Sequence, residues 1–527
     1  MKKPFLPHTV KPLILFLLFV GIFIYIFFSF AKVPSDSDFA SLTLEADEML
    51  RGNFFLKGWN LTGAAFTYTE LPFYMAGVLV FGVDPKAFIL ANSLMVTLII
   101  FFGYLLLPAK RSGLIDGIYF ALTALPSHFL LHSLRAHAGI FLYSFIGYFL
   151  IKRLQEDYSD GKRSSKMIYF GFVLILTLGT ASDVFILPIL AMPVILISLR
   201  IIVANDSLKK WFSLRLIFYT VIGIMLGIIL EKGYLAIGRA NLNARTNLVT
   251  FNAFPMAQSN FTVFVEGLLH ISGAYAPAVK IFSLAGIILL LKFLLLILMI
   301  VILFMDVVAG FKRPRTDPLS SMIATGMVVL TFLLLIAPFL HGLENIRYYS
   351  YFPFAMVVLI CRWIHRNCLL DSRIINEQVS MKIPVMAVVA FLFIASFRPI
   401  SIARTPTPQD RLATYLEENG LTYGYADFWH ANHTVVSSKA AVRLAALTFE
   451  EIDGEVGPHP YYWFSKDEWY EDPRSNFVMV AEEPYRDMTV DNVIRYLGIP
   501  NDVRKIEGYT ILIYDPGLSD MLTAKKP

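Results

Sequence analysis

Residues 11–38 read KPLILFLLFVGIFIYIFFSFAKVPSDSD. An uninterrupted apolar run from Pro12 to Ala31 is followed within seven residues by two carboxylates, Asp36 and Asp38. The run matches the ~20 residues needed to cross a bilayer and exceeds the ~7–15 of a signal-peptide core. Ser29-Phe30-Ala31 has the small-x-small form of a cleavage site, yet the length favours an anchor, and Lys2, Lys3 and Lys11 place its N-terminus inside. The chain of 527 residues is 56% hydrophobic and 16% charged, with a mean hydropathy of +0.61. Soluble domains carry about 25% charged residues, so the expectation is a polytopic membrane protein. That composition excludes a cytosolic enzyme, a nucleic-acid-binding module and a disordered chain. A net charge of +5 is too small to imply a polyanionic partner.

Further hydrophobic runs fall at about 87–107, 114–131, 137–151, 167–181, 183–199, 212–231, 279–309, 319–340, 348–364 and 383–398. Basic clusters occupy alternate connections: Lys110/Arg111, Lys152 to Lys166, Arg200 to Lys210, Lys312 to Arg315, and Arg362 to Lys382. The positive-inside rule assigns all of them to the cytoplasm and gives an all-α bundle of about eleven transmembrane helices. Residues 1–398 form that domain, with outer loops at 32–86 and 232–279, and 399–527 form a soluble extracytoplasmic α/β domain. Both cysteines, Cys361 and Cys368, lie in a basic cytoplasmic segment, so no disulfide framework is expected. No internal repeat marks the duplicated halves of a transporter.

The C-terminal part has soluble composition. Thr407 and Pro408 read as N-cap and first residue of a helix that Gly420 ends, 476–481 and 509–514 read as strands, and 490–497 reads as a helix closed by Gly498. Its aromatic residues, Trp429, Tyr461 to Phe464, Trp469 and Tyr470, suit a core, a membrane interface or sugar stacking. Asn60, Asn260 and Asn432 lie in glycosylation sequons predicted outside.

In the first outer loop, Phe39, Leu42, Ala46, Met49 and Leu50 recur at helical spacing, with Ser41, Glu45 and Glu48 on other faces and Gly52 as the stop. This predicts an amphipathic helix lying on the membrane surface. Asp36 or Asp38 can cap it. Alternatively, a carboxylate at the water–lipid boundary can act as general base toward a hydroxyl, reaching a phosphate-linked lipid from one side and an acceptor from the other. Asp-x-Asp alone does not choose.

Residues 36–82 carry Asp-Ser-Asp-Phe-Ala (36–40), Leu44 to Asn53, Gly58-Trp59, Glu70-Leu71-Pro72-Phe73-Tyr74 and Phe81-Gly82. This stretch resembles the first outer loop of GT-C class membrane glycosyltransferases, in the style of the bacterial protein mannosyltransferase-like and aminoarabinose-transferase-like enzymes. The resemblance extends in layout over about the first 400 residues and in motif over 36–82 only. It implies a hexosyl- or pentosyltransferase in a bacterial cytoplasmic membrane. The implied donor is a polyprenyl-phosphate sugar, and the acceptor an envelope glycan, lipid or protein. Asp38, with Asp36 as the alternative, takes the catalytic acidic position.

Other outward polar residues complete the candidate set. Asp183, after Thr180-Ala181-Ser182, is either a turn cap or a second acid that holds an acceptor or a cation, and Glu70 before Pro72 is a weaker candidate of the same kind. Arg347 can bind the donor's phosphate through a bidentate fork, or simply pair with Glu344 three residues earlier, near His341. Lys232, Arg239 and Arg245 compete for the phosphate role. No cofactor follows from these residues. A divalent cation stays open, since His128 and His132 are four apart on a helix, although interfacial histidines without a ligand role are commoner. Two rivals remain: a transporter or lipid flippase, using intramembrane charges such as Lys292 and Asp306, and a non-catalytic scaffold.

Overall fold

The computed structural model describes residues 10–33, 36–161, 166–204, 207–238, 241–242, 254–312, 317–337, 340, 342–370, 387, 390–391, 393–396, 406–452 and 455–523. The chain is mostly helical up to residue 370: α1 (Val10–Phe30), α2 (Ser37–Leu50), α3 (Leu71–Phe81), α4 (Pro85–Leu106), α5 (Gly113–Thr123), α6 (His128–Ser133), α7 (Ala138–Ser159), α8 (Lys166–Ser182), α9 (Met192–Val203), α10 (Ser207–Gly238), α11 (Phe254–Ile271), α12 (Leu284–Lys312), α13 (Pro318–Ile336) and α14 (Phe352–Leu370). The C-terminal region adds α15 (Pro408–Glu418), α16 (Phe428–Ser437), α17 (Val490–Leu497) and α18 (Leu518–Thr523) around a mixed sheet. Among the described residues, five helices are long and apolar enough to cross a membrane: Pro12–Phe30, Pro85–Leu106, Lys210–Gly238, Leu284–Lys312 and Pro318–Ile336. By length and composition they mark a multi-pass membrane protein.

Several hydrophobic runs are less regular than the sequence predicts. The run 114–131 is two helices, α5 and α6, interrupted around Pro126, with Ser127 capping α6 through Leu130 N at 3.0 Å. The run 183–199 begins with a π-turn, Leu187–Ala191, where Pro188 cannot donate its backbone bond. The outer loop expected at 232–279 holds α11. Asn260, Phe264, Leu268 and Ile271 form a buried stripe at helical spacing there, diluted by the polar residues between them. Most of the run 383–398 lies outside the described residues.

The chain divides into two compact units. The first comprises Met1–Val33, Asn92–Leu230 and Asn247–Ile402; the second comprises Pro34–Ala91, Glu231–Thr246 and Ala403–Pro527. The C-terminal region is thus grouped with Pro34–Ala91 and Glu231–Thr246 in one unit.

Within the first unit, helices approach closely where side chains vanish. Gly223 and Gly227 form a small-xxx-small stripe on α10, and a Cβ at either would lie 2.5–2.6 Å from Thr180 or Leu176 of α8. Elsewhere in this unit, charges are paired. Arg362 of α14 donates from Nη2 to Asp317 Oδ1 at 2.6 Å, from Nη1 to Leu106 O at 2.6 Å and from Nε to Ser320 Oγ at 2.9 Å. Arg366 donates to Asp306 Oδ1 at 2.6 Å and reaches Asp317 Oδ2 at 3.5 Å. Asp306, whose charge favoured a transport pathway, is thus engaged in a network joining α12, α13 and α14.

In the second unit a six-stranded sheet has the order β5-β4-β3-β7-β9-β8, with β3 (Tyr423–Asp427), β4 (Arg443–Ile452), β5 (Glu455–Pro460), β7 (Phe477–Ala481), β8 (Asp502–Ile506) and β9 (Tyr509–Ile513). The central strand β3 is parallel to both β4 and β7, and the outer pairs are antiparallel. A second small sheet, β2 (Asn241–Leu242), β1 (Trp59–Leu61) and β6 (Ser465–Lys466), ties three distant segments together. The predicted C-terminal elements all form: Thr407 and Asp410 make a full capping box on α15, and Gly420 and Gly498 take φ of +69° and +89° at helix ends.

Removing Arg362 leaves Asp317 buried without its main counter-charge. Arg362→Ala is expected to destabilise the detergent-solubilised protein by about 3–5 kcal/mol, read as a lowered thermal midpoint. Burial raises the Asp317 carboxyl, but Arg362 and Ser320 outweigh it and hold it below the usual aspartate range. The stabilisation is therefore complete above the unfolded aspartate value and is lost as pH falls through the depressed folded one.

Candidate functional site

The two aspartates after α1 have different local duties. Asp36 is extended, at φ −139° and ψ −176°, and its Oδ1 accepts from Asp38 N at 3.1 Å and Phe39 N at 3.4 Å. It is the N-cap of α2, the oxygen acceptor that the free amides of a first turn require. Asp38 lies inside that first turn, where the helix dipole favours a negative charge, and is only 4% exposed.

The helix α2 is not the surface-lying amphipathic element that its spacing predicts. Eleven of its residues, from Ser37 through Ala46 together with Met49, are buried, including Ser41 and Glu45. It packs between α3 and α16. Asn432 of α16 donates to Ser41 Oγ at 2.8 Å, and Lys466 reaches Glu48 at 3.2 Å. Sequence periodicity marks which residues are apolar, but a polar residue whose partner lies 391 positions away reads as solvent-facing.

The carboxyl ends of β3, β4 and β7 gather a set of side chains that sequence reasoning left mostly unassigned. Asp427 ends β3 and caps α16 through Trp429 N at 2.9 Å, and its other oxygen meets His430 Nδ1 at 2.7 Å. Arg486, in the loop after β7, pairs with Glu450 of β4 at 2.7 Å. Its guanidinium stands 5.1 Å from the Tyr461 ring and 5.4 Å from the Tyr485 ring. Trp429 packs edge-on to Tyr485 at 6.2 Å. Because β3 is flanked on both sides by parallel strands reached by separate connections, this edge is the switch point at which open α/β sheets bind ligands. Burial pushes the Tyr461 phenol well up, with further contributions from Tyr485 and from the negative charge of Asp38, opposed by Arg486. The one signal available in the sequence was Asp427-x-x-His430 at a strand-to-helix junction. The other aromatic residues divide: Phe464, Trp469 and Tyr470 are core, while Trp429, Tyr461 and Trp463 are half-buried.

Two more carboxyls of this unit are fully buried. Glu70 precedes α3 and accepts from the Thr69 hydroxyl. Glu45, one heptad after Asp38 on α2, is 0% exposed, and neither of its oxygens meets a donor among the described residues. Burial alone pushes its carboxyl well above the ordinary glutamate value. Lys232 is exposed near the end of α10. Arg239 and Arg245 lie outside the described residues.

In the first unit the structure assembles a separate cluster. Asp183 Oδ2 meets His137 Nδ1 at 2.5 Å, both buried, and Asp183 Oδ1 accepts from Phe185 N at 2.9 Å. Asp183 is therefore a turn cap and a histidine partner together. His137 adopts φ +69° before α7 and lies 5.2 Å from both Phe185 and Tyr348. Arg347, in a 3₁₀ turn (Leu343–Tyr349), stands 5.3 Å from the Tyr348 ring, so two predicted residues, Asp183 and Arg347, are linked through His137 and Tyr348. Glu344 lies on the same turn; its side chain, like His341, lies outside the described residues. His128 meets the Lys32 carbonyl at 3.1 Å. Among the described residues no group of three or more His, Cys, Asp or Glu is arranged to hold a metal. The three sequon asparagines are buried: Asn60 bonds Asp467, Asn432 bonds Ser41 and Phe464 O, and Asn260 bonds the carbonyls that end α13.

Compared with known proteins, the chain matches no family model, no curated protein and no solved structure.

The raised Glu45 carboxyl has a signed consequence. The unfolded chain loses this proton near the ordinary glutamate value while the folded chain keeps it to higher pH, so stability falls as pH rises across that window. Glu45→Gln, which mimics the neutral acid, is expected to raise the thermal midpoint at pH 7–8 and leave it unchanged at pH 4. An equal shift at both pH values means that the acid is already ionised in the fold.

Proposed function

We propose that this chain is a membrane glycosyltransferase of GT-C-like architecture, with about eleven membrane crossings and its N-terminus inside. It moves a hexosyl or pentosyl group from a polyprenyl-phosphate carrier to a glycan, lipid or protein acceptor on the outer face of a bacterial cytoplasmic membrane. The alternating basic connections support this orientation, and they put both outer loops and the C-terminal region outside. Nucleotide sugars are cytoplasmic, so an outward site requires a lipid-linked donor.

The observation that carries the reading is the division between the two aspartates. Asp36 is committed to capping, whereas Asp38 is buried in the first turn and its charge is felt at Tyr461, beside Tyr485 and Arg486. A buried carboxylate whose charge reaches a half-buried phenol ring suits a sugar hydroxyl, since rings can stack on the pyranose while the acid accepts its proton. The acceptor oxygen attacks the anomeric carbon, its proton passes to Asp38, and the bond from that carbon to the lipid phosphate breaks. Displacement in one step inverts the anomeric centre.

Proteoliposomes supplied with radiolabelled polyprenyl-phosphate sugars and a crude envelope acceptor fraction provide the test. Asp38→Asn is expected to slow transfer by about 10²-fold or more. Asp36→Ala is expected to retain transfer while losing roughly 1 kcal/mol of stability with its cap. Undiminished transfer by the Asp38→Asn protein rules out the general-base assignment.

A further inference from the structure

Four aromatic side chains of the second unit form one continuous strip. The Trp463 ring lies 6.4 Å from Tyr461, at an interplanar angle of 28°. Tyr461 lies 6.3 Å from Tyr485, and Tyr485 lies 6.2 Å from Trp429, both pairs edge-on at 79° and 84°. Three separate segments supply these rings: residues 461 and 463 follow β5, 485 follows β7, and 429 opens α16 after β3. All four are half-buried, in contrast to Phe464, Trp469 and Tyr470, which are core residues of the same unit.

Polar groups edge the strip at two places. Midway, the Arg486 guanidinium stands over both tyrosine rings, at 5.1 and 5.4 Å. A guanidinium carries five N–H donors, and its Nη1 donates to Glu450 Oε1 at 2.7 Å. The two side chains are 44% and 45% exposed, so the pair is open to further hydrogen bonds. At the Trp429 end, His430 gives its Nδ1 proton to Asp427 Oδ2 at 2.7 Å, which leaves Nε2 as an acceptor. Arg486 and Asp487 are held in the left-handed region, at φ +45° and +55°. Backbone in that conformation costs energy and recurs at ligand sites.

This alternation of rings and hydrogen-bonding groups selects a ligand chemistry. The C–H face of a ligand fits the rings, and hydroxyls on its rim fit Arg486, Glu450 and His430. Arg486 is already matched by Glu450, so the strip offers no surplus cation to a phosphate or a carboxylate. A hydrocarbon chain would strip water from that pair and return no hydrogen bonds. An uncharged, polyhydroxylated chain satisfies both requirements.

We propose that this strip binds an uncharged oligosaccharide, held along several sugar rings between Trp463 and Trp429. The inference rests on the acceptor half of the reading above and narrows that acceptor to a glycan. Binding itself requires no donor.

Isothermal titration calorimetry on the full-length protein, in a detergent without a sugar headgroup, tests the site. The probes are linear hexasaccharides of glucose, mannose, galactose and arabinose. Saturable binding of at least one is expected, tighter than that of the matching disaccharide by about fivefold or more. Trp429→Ala and Trp463→Ala, at opposite ends of the strip, are each expected to weaken it about fivefold. Either variant keeps the test open should the other fail to fold. Hexagalacturonate, the charged counterpart, is expected not to compete. No binding of any of the four, undiminished binding by whichever variants fold, or equal binding of hexagalacturonate overturns the proposal. Glycan binding without sugar transfer from any donor would leave this site standing and remove the transferase reading. Transfer to a protein or lipid acceptor without glycan binding would do the reverse.

Discussion

The burial of α2 is the constraint on which the second unit depends. Fourteen residues that begin just beyond an anchor helix are enclosed almost all round, so each polar group on them needs an internal answer. Asp36 answers the first-turn amides, Ser37 O receives the Ser41 hydroxyl, and Ser41 Oγ receives Asn432. Neither Glu45 oxygen nor the Ser37 hydroxyl meets a partner among the described residues, and burial pushes the Glu45 carboxyl well above the ordinary glutamate value. The small sheet through Trp59–Leu61 reinforces the same assembly by pairing it with Ser465–Lys466 and Asn241–Leu242. Residues 37–61 are thereby held at both a helix and a strand of the second unit.

The first unit manages charge by a different rule. Where the surroundings are apolar, charged side chains are matched: Asp306 and Asp317 with Arg366 and Arg362, and Asp183 with His137. Lys292 lines a cavity whose other polar groups are hydroxyls and imidazoles.

Backbone strain in the second unit collects near the same aromatic cluster. Arg486 and Asp487 are consecutive non-glycine residues in the left-handed region, at φ +45° and +55°. That conformation costs energy and persists where surrounding contacts over-determine it. Here the Phe449 amide accepts the constraint by donating to Arg486 O at 3.3 Å, and the guanidinium is pinned by Glu450. The loop therefore presents Tyr485 and Arg486 in one arrangement at the switch point of the sheet.

The sequence by itself determined the membrane character, the hydrophobic helices that exceed a bilayer's length, and the C-terminal caps and strands. These are set by local terms: apolar length, the oxygen of Thr407 three residues before Asp410, and glycines at Gly420 and Gly498 that adopt positive φ without steric cost. It also marked Asp36 and Asp38 as a pair worth attention, and it grouped Asp183 and Arg347 among the polar residues of interest. Only the tertiary structure decided which aspartate is a cap, buried α2 and all three sequon asparagines, joined residues 34–91 and 231–246 to the C-terminal region, and opened a cavity at Lys292. The cap bonds of Asp36 are local, but the burial of the polar residues depends on partners between about 70 and 400 residues distant, such as Asn260 with the end of α13 and Asn432 with Ser41. Periodicity reports which face of a segment is apolar, but it carries no information on what covers the polar face.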